Sequence, residues 1–500
     1  MKNFIKQLCL FALLVSTPYA NALETIGSGG AQSPKPTVGN KGANCDPSTG
    51  VLRMEFNNVS TLLKQGGLLY REAGANGAAA YEVPKGSKVR AIYAGSLWMG
   101  GKDVNGQLKI AAITFQATGH DFWPGPLSVE AGTGTYNPQN PSTDGVIRDF
   151  GEANIDPETC RAYDKFYTIR KGEVIRFNLW WACGNIPETE GCETVLLTEN
   201  LPTNDELNRI YGWPAHGDVS KGQDFYLAPF YDRDGDGVYN PDNGDHPWYD
   251  DILGRDDIQC GVDRRISLFG DETHWWVFND KGNIHGESGG EPIGMEIRAQ
   301  AFSFATNDEV NSMTFYNYEL INRSTQTLFD TYFSQYLDTD LGNPNDDYVG
   351  CDVSRGLGYC YNGDLVDESG VAPGYGENPP AIGCDFFEGP YQDADFKDNL
   401  GPVFDSVTKE FVAPSVNDAI ADNGIVYRGI GNGYSDGIID NERFGMRRFT
   451  YYTNGAAAGQ GDPSNAAQFY NYMSGFWSDG STPFYGGEGY AGSTGVTETP

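Results

Sequence analysis

Basic residues are scarce in this chain. Its 500 residues hold 34 Lys and Arg against 68 Asp and Glu, a formal charge of −34. The charge moves to about −36 when Lys2 and Lys6 leave with the N-terminal segment described below. Such a surface repels a phosphate backbone, whose binding depends on Lys and Arg displacing counterions, so nucleic acid is a poor candidate partner and divalent cations are better ones. Histidine is scarcer still: His120, His216, His246, His274 and His285 are scattered without metal-ligand spacing, and no C-x-x-C zinc motif occurs. No apolar run approaches the roughly 20 residues needed to span a bilayer. Gly and Pro make 92 of 500 residues, short of the roughly 25–30% that marks low complexity. The 65 aromatic residues are too many for a disordered chain. What remains is a folded, loop-rich protein whose length suggests about three domains at roughly 150 residues each.

The first residues, MKNFIKQLCLFALLVSTPYANALE, combine two lysines, an apolar run from Leu8 to Val15 and an A-x-A site at Ala20-Asn21-Ala22. This predicts a secretory signal peptide over 1–22 and a secreted or cell-surface location. Cys9 leaves with it. Eight cysteines remain (Cys45, Cys160, Cys183, Cys192, Cys260, Cys351, Cys360, Cys384), an even number in an exported chain, which favours disulfides. Separation alone suggests Cys183 with Cys192 and Cys351 with Cys360. Residues 23–48 are expected to be a flexible leader, because 26–44 is Gly, Ser and Pro with almost nothing apolar.

Beyond the leader come short apolar runs closed by turn residues, the pattern of strands. They include Val89–Gly101, Leu108–Gly119, Val174–Gly184, Gly294–Ala305, Ser312–Ser324 and Leu328–Asp340. The last two, joined by a polar turn at Asn322–Thr325, are expected to form an antiparallel hairpin. Helical spacing appears at Asn204–Gly212 and Ala466–Trp477. The chain therefore reads as mainly β, antiparallel and sandwich-like, with long loops and a few short helices. The expected order is a first β domain at 49–200, a calcium-loop connecting region at 201–265, sandwich strands at 266–345 and a loop-rich continuation at 346–500. The Gly-rich ending FYGGEGYAGSTGVTETP reads as the front of a longer protein.

The sharpest local signal is YDRDGDGVYNPDNGDHP. Calcium takes six to eight oxygens at about 2.3–2.6 Å. Asp232, Asp234 and Asp236 supply alternating carboxylates, Gly237 allows the sharp turn, the Val238 carbonyl is the expected backbone ligand, and Asn240, Asp242 and Asp245 follow. This resembles the calcium loops of EF-hands, dockerins and thrombospondin type 3 repeats, although Asn243 stands where an EF-hand carries its bidentate Glu. Asp338, Asp340, Asp346, Asp347 and Asp352 form a second candidate metal cluster, since carboxylates this crowded repel one another unless a cation offsets them. Asp436, Asp440 and Glu442 suit turn and capping roles better.

Other signals are weaker. His285-Gly286-Glu287-Ser288-Gly289-Gly290 contains G-x-S-x-G, but a hydrolase elbow needs strand, turn and helix, and a strand-like run follows instead. Gly429, Gly431 and Gly433 imitate a phosphate loop without its βαβ setting. Trp180-Trp181 and Trp275-Trp276 are expected in strands, where neighbours face opposite sides, so Trp181 and Trp276 are candidate glycan contacts.

Read in order, LWMGGKDVNGQLKIAAITFQATGHDFWPGPL (Leu97 to Leu127), YGWPAHGD with YLAPFYDRDGDGVYNPDNGDHP, FGDETHWWVFND, FSQYLDTDLGNPNDDYVGCDVSRGLGYCYN and GYSDGIIDNERFGMRRF resemble the N-terminal region of large surface proteins of Bacteroidota. Such proteins are cargo of the type IX secretion system, and the likeness runs from about Gly50 onward. It implies further β-sandwich modules and a C-terminal sorting domain, and it carries no catalytic residues. The expected function is therefore a calcium-binding surface protein with an adhesive or structural role, its partners being calcium and extracellular glycans or surface proteins. The alternative is a carbohydrate-active enzyme or glycan-binding module using exposed Trp and Tyr.

Overall fold

The computed structural model describes residues 43–72, 77–116, 119–128, 153–186, 189, 192, 201–249, 270–324, 327–352, 355–370, 372–392, 396–401, 403–405, 407, 410–412, 431–453, 459–484 and 489–490. The expected signal peptide 1–22, the leader as far as residue 42, Cys260 and Gly429 lie outside the described residues.

The chain is mainly β, in antiparallel sheets. Its early strands are β1 (Val51–Met54), β2 (Thr61–Lys64), β3 (Tyr81–Glu82), β4 (Arg90–Lys102), β5 (Leu108–Ala111), β6 (Trp123–Pro124) and β7 (Tyr167–Arg170). Then come β8 (Phe230–Tyr231), β9 (His246–Pro247), β10 (Glu272–Asn279), β11 (Met295–Ser303), β12 (Phe315–Asn322) and β13 (Phe329–Thr339). β14 (Asp347–Asp352), β15 (Leu357–Asn362), β16 (Val366–Asp367), β17 (Gly376–Glu377) and β18 (Ala381–Asp385) follow. Among them lie the helices α1 (Pro157–Ala162), α2 (Lys171–Asn185) and α3 (Asn204–Tyr211), with α4 (Ala466–Ser474) near the end.

Two sheets make the sandwich. In one, β4 pairs with β13 on one edge and with β3 and β5 on the other. In the second, β12, β11 and β10 lie in order, and the free edge of β10 takes β7 against Glu272–Trp275 and β6 against Phe278–Asn279. Strands from 49–200 and from 266–345 thus share both sheets. Every residue of β10 is buried, and its side chains alternate between two cores. Trp276 and Phe278 join Leu97, Met99, Ile297 and Ala299 between the sheets. Trp275 and Val277 face outward, where Val174 and Phe177 of α2 and Ile210 of α3 cover them. On the opposite flank α4 lays Phe469, Tyr472 and Met473 over Trp98, Ile110 and Tyr336. Gly95 has a packing role, since a Cβ there would sit 2.4 Å from the Tyr70 ring that lies on β4.

Three expectations need correction. The run Val174–Gly184 is not a strand but the body of α2, and its buried residues Glu173, Val174, Phe177 and Asn178 fall one turn apart. Aromatic content suggested a strand there, whereas the spacing obeys the helical period. β12 and β13 do not form a hairpin either. β12 pairs with β11 and β13 with β4, so the turn at Asn322–Ser324 passes the chain from one sheet to the other. Arg323, 2% exposed, anchors that crossing by pairing with Asp224 and Glu296, which Arg298 also engages. Finally, Cys183 does bond Cys192, but Cys45 bonds Cys160 while Cys351, Cys360 and Cys384 are free thiols. In the ladder of β14 and β15, Cys351 opposes Gly358 and Cys360 opposes Val349, so the two cysteines are out of register.

Candidate metal centre

The loop 232–245 leaves and re-enters a short antiparallel neck in which Phe230 opposes Pro247 and Tyr231 opposes His246. His246 is buried, its ring 5.0 Å from that of Tyr231, with Nε2 3.0 Å from Asn178 Nδ2. Burial pushes its imidazole down to about 4, so it is neutral near pH 7. α2 and α3 brace the loop from outside. Arg233 donates to Asn178 Oδ1 at 2.8 Å and lies 4.7 Å from the Trp181 ring centre, while Trp181 Nε1 donates to the Asp242 carbonyl at 2.8 Å. The Tyr239 hydroxyl donates to the Ile210 carbonyl at 2.7 Å, and the backbone N–H of Tyr239 donates to His216 Nε2 at 2.7 Å.

Within this frame the acidic side chains wind the backbone around themselves. Asp232 accepts from the N–H groups of Gly235 and Gly237, each at 2.8 Å. Gly237 has φ +80° and Gly235 φ +73°, left-handed conformations that glycine adopts without steric cost. Asp245, fully buried, accepts from the N–H groups of Arg233 and Asn240, each at 2.8 Å. Asp234 accepts from Asp236 N–H at 3.2 Å and from Asn243 Nδ2 at 2.7 Å. As a result Asp232, Asp234 and Asp245 each offer a carboxylate oxygen within 4.8 Å of the others. Burial raises the Asp245 carboxyl above its ordinary range, with the charges of Asp232 and Asp234 adding to it and the two backbone donors opposing. Three oxygens at this spacing, on a loop held open by backbone hydrogen bonds, fit a hard oxygen-seeking cation such as calcium.

The other expected ligands are placed differently. Asp236 accepts from Val238 N–H at 2.7 Å, Asn240 caps the turn Pro241–Asn243, and Asp242 accepts from the Tyr211 hydroxyl at 2.6 Å. Asn178, His216 and the bracing role of Arg233 were missed from sequence because the contacts that join them, Arg233 to Asn178 and His216 to Tyr239, are long-range.

The second expected cluster does not gather around one ion. Among the described residues, the group whose ligand atoms close to metal-sharing distance is Asp232, Asp234 and Asp245. Asp352 pairs with Arg355 at 3.0 Å, Asp347 accepts from Leu341 N–H at 2.9 Å, and Asp338 and Asp340 lie in a cleft beside β13. Asp436, Asp440 and Glu442 do accept backbone N–H groups, from Ile438, Phe396 and Asn399.

The two expected glycan contacts are placed differently. Trp276 is 0% exposed in the sandwich core, a correction, and Trp181 is a loop brace beneath Arg233. Ser288 is fully buried and its hydroxyl donates to Asp121, while His285 contacts the carbonyls of Ile110 and Asp280 at 2.6 Å, so the G-x-S-x-G segment forms a structural knot. Among the described residues no helix is long and apolar enough to cross a membrane. No family model matches the chain, and no curated protein or solved structure matches it either.

Proposed function

We propose that this is an exported, cell-surface calcium-binding β protein with an adhesive or structural role, in which the ion fastens the loop 232–245 to the flank of the sandwich. The observation that carries this reading is the convergence of Asp232, Asp234 and Asp245 at the neck of a loop that two helices already brace. In calcium-bound protein these three side chains would hold the ion, which offsets the mutual repulsion of their carboxylates. Disulfides Cys45–Cys160 and Cys183–Cys192 suit an oxidising compartment. The signal-peptide pattern of 1–22 and the resemblance of the ordered motifs to type IX cargo support export. A ligand that binds only the folded state adds about 2.7 kcal/mol at a hundredfold excess over its Kd. EGTA is therefore expected to lower the melting temperature, calcium to restore it, and the variant Asp245→Asn to lose the response. A melt indifferent to chelator in the wild-type protein rejects the reading.

A glycan-binding surface is the second reading, now on different residues. Tyr348, Tyr359 and Tyr361 are 60%, 37% and 44% exposed on one face of β14 and β15, where Tyr359 lies across Gly350. Flat aromatic faces of this kind pack against the apolar faces of sugars. A glycan array should then show signal that falls with Tyr348→Ala and Tyr361→Ala; an array blank for the wild-type protein rules it out.

A further inference from the structure

The carboxylates left over from the expected second metal site lie in a different kind of place. A cleft of about 3420 Å³ opens along β13, and Tyr93, Phe115, Tyr336, Asp338, Asp340 and Tyr452 line part of it. Tyr336 is sandwiched between rings, with Trp98 stacked at 4.9 Å and Tyr452 parallel to it at 6.2 Å. Asp338 follows two residues along the same strand, on the same face. The hydroxyls of Tyr336 and Tyr452 approach each other and Asp338, but both are buried and neither makes a hydrogen bond of good geometry. Tyr336 is 8% exposed, so a donor or acceptor entering the cleft would complete the bonding of its hydroxyl.

Charge in the cleft is unbalanced. Burial lifts the Asp338 carboxyl to about 7, with the charges of Asp340 and Asp462 adding and Arg71 opposing. Burial lifts Asp340 to about 6, again against Arg71. At these carboxylates Arg71 is the opposing guanidinium, and the cleft lining as a whole carries seven carboxylates against the guanidiniums of Arg298, Arg443, Arg447 and Arg448. The aromatic wall already accommodates cations, since Arg71 lies 4.3 Å from the Tyr93 ring centre and Arg447 lies 5.3 Å from that of Tyr332. The acids do not close to metal-sharing distance. A guanidinium or ammonium, by contrast, spreads its donors over several ångströms and gains further from an aromatic face.

We propose that this aromatic-walled cleft binds an organic cation, the guanidinium or ammonium group of an arginine, a lysine or a small amine, between Asp338, Asp340 and the Tyr336 hydroxyl. The cleft is several times larger than the roughly 300–1,000 Å³ of a small-molecule pocket, which leaves room for the chain that carries such a group. The site is separate from the calcium loop and does not depend on it.

The test is calorimetric titration of the full chain with penta-arginine amide at pH 8 and 150 mM salt, with penta-citrulline as the neutral isostere and arginine amide as the monomer. Penta-arginine is expected to bind and penta-citrulline to fail. Losing a charged hydrogen bond at about 1.5–3 kcal/mol means that Asp338→Asn and Asp340→Asn should each weaken binding by roughly ten- to a hundredfold. Tyr336→Phe, which keeps the stacking, should weaken it several-fold. Moving from pH 8 to pH 5 should release the peptide, as Asp338 and Asp340 take up protons. A surface control, Glu368→Gln with Glu377→Gln, removes two exposed charges and should leave affinity unchanged. Saturation by arginine amide alone assigns a small amine, and a response confined to the pentapeptide assigns a basic polypeptide; both support the site. Undiminished binding by Asp338→Asn and Asp340→Asn, or an equal loss in the surface control, overturns it, because the attraction is then that of the acidic surface as a whole. Should Asp338→Asn fail to fold, Asp340→Asn and Tyr336→Phe carry the same decision.

Discussion

At the scale of single residues, the sign of a buried carboxylate's contribution depends on which charges face it. Burial alone would raise Asp224, but Arg323 and Arg298 outweigh it and hold the carboxyl below its usual range. Its stabilising effect is therefore present above the unfolded value, near 3.9, and is lost as pH falls through the depressed folded value. Asp338 is the opposite case. Its folded value is raised to about 7, so its contribution is greatest below the unfolded value and is lost as pH rises through 7. Asp338→Asn is accordingly expected to be more stable than the wild type at pH 8, with the difference much reduced at pH 5. Urea unfolding at the two pH values measures it; a difference that grows on acidification contradicts the assignment.

Among the elements, α3 does two things at once. It caps itself through a reciprocal pair, in which Thr203 Oγ1 accepts from Glu206 N–H at 3.3 Å and Glu206 accepts from Thr203 N–H at 2.7 Å. It also presents the Ile210 carbonyl and the Tyr211 hydroxyl to the acidic loop. Arg209, bonded twice to Glu173 at 2.6 and 3.0 Å, ties it to α2. Thr203→Ala should cost about 1 kcal/mol in global stability, the usual value of such a cap. It should also weaken the calcium response of the melt, since fraying the first turn loosens the brace. Parallel melts with and without calcium would separate the two effects.

For the whole molecule, the sandwich is closed by contacts remote in sequence. The Cys45–Cys160 bridge spans 115 residues and fastens the start of the described chain beside Trp123 at the sheet edge. Opening a bridge across so long a loop typically costs about 2–5 kcal/mol. Cys160→Ser is therefore expected to lower the melting temperature by more than Cys192→Ser, whose bridge spans 9 residues. Equal effects from the two variants would count against it. The proposed calcium loop and the Cys45–Cys160 disulfide lie on different parts of the fold, the flank and the sheet edge, so if calcium binds there the two effects on stability should add.

Much of the β architecture was legible in the residues themselves. β4, β10, β11, β12 and β13 fall within apolar runs bounded by turn residues, and α3 and α4 announce themselves by period and cap, because these signals act over a few neighbours. The alternation of Asp232, Asp234 and Asp236 with Gly235 and Gly237 likewise specifies a tight acidic turn. Tertiary structure decided the rest. Only the pairing of β13 with β4 shows that the expected hairpin is a crossing between sheets, since each strand edge takes the partner that buries its apolar face. Aromatic content misplaced α2 as a strand, because Trp and Phe pack equally well on either element and only the α3 and β10 surfaces select the helix. Convergence of Asp245 rather than Asp242 on Asp232 and Asp234 depends on the β8–β9 neck, while Asp242 bonds the Tyr211 hydroxyl. Of the cleft at Asp338 the sequence shows only the crowded carboxylates at the end of β13: Tyr93, Phe115, Tyr452 and Asp462 come from distant segments, and the shared charge and burial exist only once the chain is folded.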